Sequence, residues 1–119
     1  MKKSILIVED DPEIIDIYKE MLGTKYSAVY VTDTKEASKA LKKKIPDLMI
    51  LDIILPGKSG DTFYLELKKQ PRFKKLKVLC ISVLGDTSDF VKNIDMNSDA
   101  LAKPFEKQQL LDRINVMLG

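Results

Sequence analysis

The chain has 119 residues, of which 45% are apolar and 32% charged, with a net charge of +2. That length suits one domain with a core of its own; the composition excludes a disordered chain, and the charge is too mild to argue for nucleic-acid binding. The absence of histidine excludes a histidine-based catalyst or phosphohistidine carrier, and the single cysteine, Cys80, allows no disulfide framework within one chain.

Met1-Lys2-Lys3 followed by Ile5 to Val8 has the start of a signal peptide, but Glu9-Asp10-Asp11 ends the apolar run too soon. No stretch is long enough to span a membrane, so the expectation is a cytoplasmic protein. Ile5 to Val8 reads as a strand. Asp11-Pro12 then supplies an N-cap and a proline at the first helical position, with Ile14, Ile17, Tyr18 and Met21 on the inner face, Ile15 and Leu22 beside them, and Gly23 as the stop. Ala28 to Val31 is a second strand. Asp33 with Glu36 is an Asp-led capping box for a helix that turns Ala37, Ala40 and Leu41 inward and ends in Lys42-Lys43-Lys44. Leu48 to Leu51, bounded by Pro46 and Pro56-Gly57, reads as a strand buried on both faces, and Asp52 follows it directly. Ser59-Gly60 opens a third helix facing Phe63, Tyr64 and Leu67 inward, Pro71 ends it, and the basic stretch 72–77 is an exposed connection. Val78 to Ile81 is the fourth strand, ending at Ser82, with Cys80 as a small buried hydrophobe. Gly85-Asp86-Thr87 forms a loop and cap, and Phe90, Val91 and Ile94 mark a fourth helix. Ala100 to Ala102 is the last strand, ending at Lys103; Pro104 starts the last helix, with Leu110, Leu111, Ile114 and Met117 on one face.

Strands alternating with helices imply βαβ units and a mainly parallel sheet covered on both faces. Parallel strands end on one edge, where open α/β sheets place their chemistry. Glu9, Asp10, Asp52, Ser82 and Lys103 therefore share a rim. Taken singly, each residue has a plainer reading: Asp52 as a turn cap, Lys103 as its ion-pair partner, Ser82 as a strand-end hydroxyl. Together they point to chemistry. Clustered carboxylates raise one another's pKa unless a cation intervenes, and all-oxygen ligation suits Mg²⁺. Positive charge around an aspartate suits phosphoryl transfer, with the aspartate as nucleophile and Ser82 as a hydrogen-bond donor to a phosphoryl oxygen.

ILIVEDDPEI (5–14), PDLMILDIILPGKSG (46–60), VLCIS (78–82) and AKPF (102–105) together resemble the receiver domain of two-component response regulators, over the whole chain, 1–119. The resemblance implies a flavodoxin-like, doubly wound fold: a five-stranded parallel sheet in the order 2-1-3-4-5 with five helices. It implies that Asp52 accepts a phosphoryl group from a sensor histidine kinase or phosphotransfer protein. It assigns Mg²⁺ to Asp10, Asp52 and the carbonyl of Ile54, with Glu9 assisting through water, places Ser82 and Lys103 on the phosphoryl group, and makes the Lys103–Pro104 peptide cis. Such a domain is not a conventional enzyme; it catalyses its own phosphorylation and slow dephosphorylation. It would relay the signal to a downstream protein without binding nucleic acid or membrane itself.

The chain departs from the receiver pattern in three places. Ala100 stands where receivers usually carry Tyr or Phe, Met96-Asn97 where Gly-Ala is frequent, and Val83 where a small residue is usual. Ile54 and Leu84 cannot hydrogen-bond an attacking water, so slow loss of phosphate is expected. Three other functions compete. A P-loop at Gly57-Lys58-Ser59 fails because Asp52 occupies the position of its first glycine. An FMN site fails because Glu9-Asp10-Asp11 repels phosphate. A pseudo-receiver, a binding module of this fold not regulated by phosphorylation, is favoured by Ala100 and opposed by the intact acidic, serine and lysine set.

Overall fold

The computed structural model describes residues 2–55, 57–83 and 94–119. Its strands are β1 (Ser4–Val8), β2 (Ser27–Val31), β3 (Leu48–Asp52), β4 (Val78–Val83) and β5 (Asp99–Lys103). Its α-helices are α1 (Pro12–Leu22), α2 (Thr34–Lys43), α3 (Gly60–Lys68) and α4 (Lys107–Leu118), with a 3₁₀ turn at Pro71–Phe73. The strands form one parallel sheet in the order β2-β1-β3-β4-β5, as expected. Four α-helices are seen among the described residues. The expected helix around Phe90 and Val91, the 85–87 loop, Leu84 and the side chain of Val83 lie outside them.

Successive strand residues face opposite sides of a sheet, and that alternation divides the core in two. Leu6, Val8, Met49, Leu51 and Cys80 pack on one face with Ala37 and Leu41 of α2 and Phe63, Tyr64 and Leu67 of α3. Ile5, Ile7, Leu48, Ile50, Leu79 and Ile81 pack on the other with Tyr18 and Leu22 of α1 and Leu110 and Ile114 of α4. All five residues of β3 are buried, and each large apolar side chain so removed from water contributes roughly 1.5–3 kcal/mol. This strand is the axis of the fold, and it carries Asp52 at its end.

Four local expectations change. Ile17 is 42% exposed; the buried line of α1 runs through Tyr18 and Leu22, and Ile17 lies about 100° around the helix from Tyr18, at the limit of an apolar stripe. The basic stretch 72–77 is not simply exposed. Phe73 and Leu76 are buried in it, the Arg72 guanidinium donates to the carbonyls of Leu41 (3.3 Å) and Lys42 (3.1 Å), and Lys77 Nζ donates to the Met117 carbonyl (2.6 Å). Its cations thus satisfy carbonyls that helix ends leave unpaired. Pro104 does not start the last helix; α4 begins at Lys107, with the Glu106 N–H donating to Gln109 Oε1 at 2.7 Å. At α2, Asp33 Oδ1 accepts from the Glu36 N–H (2.8 Å) as expected. The Glu36 carboxylate, however, accepts from the N–H and hydroxyl of Thr32 (3.0 and 2.6 Å), one residue short of a closed capping box.

Candidate functional site

The rim expected from strand alternation is present at the C-terminal edge of the sheet. Glu9 follows β1 and its N–H donates to the Val31 carbonyl (3.0 Å), which extends the β1–β2 ladder by one step. Asp52 ends β3 and lies opposite Ile81 of β4. Lys103 ends β5, and the Lys103–Pro104 peptide is cis. Asp11 caps α1 by accepting from the Glu13 N–H (2.9 Å), which leaves Glu9 and Asp10 as the acidic pair of the rim.

Carboxylate oxygens of Glu9, Asp10 and Asp52 all lie within 4.8 Å of one another. Asp52 is 4% exposed and Glu9 2%, whereas Asp10 opens to solvent. Lys103 Nζ stands 2.7 Å from Asp52 Oδ2 and 3.7 Å from Glu9 Oε1. Asp52 Oδ1 accepts from the Ile54 N–H at 2.9 Å, so the aspartate caps the β3 turn and serves the rim at once. Glu9 Oε2 accepts from the Asp11 N–H at 3.2 Å, while Glu9 Oε1 is buried with no hydrogen-bond partner among the described residues.

The electrostatics follow from that geometry. Burial pushes the Glu9 carboxyl up to about 7; the Asp11 N–H opposes the rise and the neighbouring Asp52 charge adds to it. Burial pulls Lys103 down, but its hydrogen bond to Asp52 and the charges of Asp52 and Glu9 outweigh this and hold it above the ordinary lysine value. A buried carboxylate oxygen without a donor, facing two more carboxylates, is an all-oxygen set matched to a hard divalent cation. The residues present therefore fit a magnesium ion.

Ser82 lies in β4, one residue before the strand's end, opposite Ala102 of β5, and is buried. By strand alternation it follows Cys80, toward α2 and α3, whereas Asp52 and Lys103 follow Ile50 and Leu101, toward α1 and α4. No hydrogen bond links it to Asp52 or Lys103 among the described residues. Ile54, expected to offer its carbonyl, presents a side chain that is 66% exposed.

Two further residues, read from the sequence as structural, stand at the site. Tyr18, assigned to the helix core, lies beneath the rim against Phe105, ring centroids 6.2 Å apart. Burial first, then the charges of Glu9 and Asp52, push its phenol well above the usual range. Apolar periodicity marks it as core and carries no sign of that proximity. Gly60 sits against the main chain of Asp52 and Ile53, with its N–H donating to the Ile53 carbonyl at 2.8 Å. A Cβ there would stand 2.2 Å from the Asp52 carbonyl oxygen. The signal available was the Ser59-Gly60 dipeptide, which reads equally well as an ordinary helix start.

The model of the response regulator receiver domain matches residues 5–115. The chain belongs to this family. The receiver is 32% identical over 118 residues to the DNA-binding dual master transcriptional regulator RpaA of Synechocystis sp., covering 96% of this chain and 48% of that protein; it thus spans about half the length of that relative. A putative response regulator from Chloroflexus aurantiacus superposes with a TM-score of 0.87 at 32% identity, over 99% of this receiver and 98% of that chain. The receiver domain of a sensor histidine kinase from Pseudomonas aeruginosa, with a magnesium ion coordinated in its active-site cleft, has the same fold: TM-score 0.86 at 24% identity, covering 100% and 99% of the two chains. The Glu9–Asp10–Asp52 cluster fits the phosphorylation and magnesium site of a two-component receiver. Among the described residues no helix is long and apolar enough to cross a membrane.

Proposed function

We propose that this receiver accepts a phosphoryl group on Asp52 from the phosphohistidine of a sensor histidine kinase or phosphotransfer protein, in the cytoplasm. We propose also that it relays the signal to a downstream protein by conformational change, without itself contacting nucleic acid. One observation carries this reading: three carboxylates within 4.8 Å of one another, with an ammonium 2.7 Å from the central one. Glu9, Asp10, Asp52 and the Ile54 carbonyl would hold magnesium, Glu9 through water. The bound ion would supply positive charge beside the transferring phosphoryl oxygens.

An Asp52 carboxylate oxygen attacks phosphorus while the phosphorus–nitrogen bond of the donor breaks and the imidazole keeps the electron pair. The Lys103 ammonium, held in its charged form, passes from Asp52 Oδ2 to a phosphoryl oxygen. Ser82, buried near the end of β4, would donate to a phosphoryl oxygen, and a shift of the β4 end toward that oxygen would carry the signal. The domain is no conventional enzyme, since its own aspartate is the acceptor and each phosphoryl group is handled once. Ala100 weakens one half of the receiver switch, but the assembled acidic cluster and lysine favour phosphorylation over a pseudo-receiver.

Intact-mass measurement with acetyl phosphate and Mg²⁺ should show one added phosphoryl group, absent in Asp52→Asn and absent with a chelator. Efficient labelling of Asp52→Asn at another position would sink the assignment.

A further inference from the structure

The sheet face covered by α2 stays partly open beside β2. A groove of about 440 Å³ runs between β2 and α2, from Ser27 and Pro46 at the N-terminal ends of the strands up to Val31. Its floor includes Val29, Val31 and Ala40, and Val29 is 54% exposed. One rim is basic. Lys39, Lys43 and Lys44 line it, all exposed, and none joins a salt bridge among the described residues. Lys39 and Lys43 stand four apart on α2, where like charges repel. The acidic side chain of the groove, Glu36, is already taken by Thr32.

The two edges of the sheet are treated differently. At β5, Arg113 donates to the Ala100 carbonyl (2.8 Å) and pairs with Asp99 (2.8 Å), which covers the main chain there. At β2 no side chain among the described residues bonds to the strand's main chain. An uncovered edge strand is a template for another strand.

We propose that the β2–α2 groove docks an extended acidic segment of a partner protein. The segment adds to the free edge of β2 with its acidic side chains on the α2 side, their aliphatic stems beside Val29 and Val31 and their carboxylates toward Lys39, Lys43 and Lys44, while the alternate side chains face the other side of the sheet. A second copy of this chain is the poorer occupant, because a two-fold contact would press the basic rim against itself. The groove begins at the opposite end of the strands from Asp52 and Lys103 and meets the rim only at Val31, whose carbonyl accepts from the Glu9 N–H, so docking should respond little to phosphorylation.

The probe is a short synthetic peptide alternating valine and glutamate, titrated into the whole chain and followed by fluorescence anisotropy and amide NMR shifts. Shifts should be confined to β2 and α2 and be the same with and without beryllofluoride, a phosphoryl mimic. Added salt should weaken binding, and the combined Lys39→Glu, Lys43→Glu, Lys44→Glu variant should bind about tenfold more weakly or worse. Val29→Glu, at an exposed position, should also weaken it. Equal binding of a peptide with lysine in place of glutamate would overturn the proposal, as would unchanged affinity in the triple variant, or self-association through this face in place of peptide binding.

Discussion

Glu9 keeps its proton longer than any ordinary glutamate, and the pH dependence of stability should show it. In the unfolded chain it titrates near 4.5; in the folded rim, burial and then the Asp52 charge, against the Asp11 N–H, raise it to about 7. Between those two values the folded state binds more protons than the unfolded one, so this group's contribution to stability falls as pH rises and is fully lost above the folded value. In the presence of a chelator, the melting temperature of the wild type should drop across that window relative to Glu9→Gln, and Mg²⁺ should restore it at the upper end. Parallel melting curves for the two proteins would remove Glu9 as the source. Gly60 sets a second residue-level constraint. An added Cβ would meet main chain at 2.2 Å (Asp52 oxygen) and 2.6 Å (Ile53 Cα), and no rotamer relieves a clash with backbone. Gly60→Ala should cost about 1–3 kcal/mol in urea unfolding and slow labelling by acetyl phosphate, because the atoms displaced belong to Asp52 and its neighbour. A variant with normal stability and rate would show that this backbone yields freely.

If Asp52 carries the phosphoryl group as proposed, the turn after β3 should set its lifetime. Its geometry is held by Asp52 itself, through the Ile54 N–H at 2.9 Å, while the Ile54 side chain projects into solvent. An aliphatic side chain there offers nothing to hold a water in line with the aspartyl phosphate. Ile54→Asn supplies one hydrogen bond, worth roughly 1 kcal/mol, and should speed loss of phosphate about fivefold with little change in stability, since the position is exposed. Equal decay rates for the two proteins, followed by intact mass, would mean that this turn does not control the water. Tyr64 and Lys68 place α3 in a comparable supporting role. The Tyr64 hydroxyl donates to Ser98 (3.1 Å) and accepts from the Asp95 N–H (3.0 Å), and Lys68 pairs with Asp95 at 2.8 Å. These bonds tie α3 to the segment leading into β5.

Across the whole molecule, those ties should limit how far the proposed phosphorylation event travels. Ala100 packs on the α2–α3 core cluster and has no side chain to swing; its carbonyl is held by Arg113 from α4. A two-state device needs an element with two packings, and β5 is anchored from both faces. Beryllofluoride in the presence of Mg²⁺ should therefore shift amides around Asp52, the end of β4 and Lys103, and leave the rest of β5 and α4 nearly unmoved. Large shifts across β5 and α4 would show that another side chain has replaced the missing aromatic. Much of this architecture was legible in the chain itself. Runs such as Leu48–Leu51, punctuated by proline, glycine and aspartate, set the strand and helix order, and parallel strands leave their C-terminal residues on one edge, so Glu9, Asp10, Asp52, Ser82 and Lys103 could be named from spacing alone. Tertiary structure alone decided the rest. Periodicity reports which side of an element is apolar, but not what stands within a few ångströms of it. The closeness of Tyr18 to the carboxylates, the lack of room for a Cβ at Gly60, the anchoring of the basic stretch on helix ends and the open lysine-rimmed groove beside β2 all depend on contacts between segments far apart in the chain, and a local pattern contains no distances between such segments.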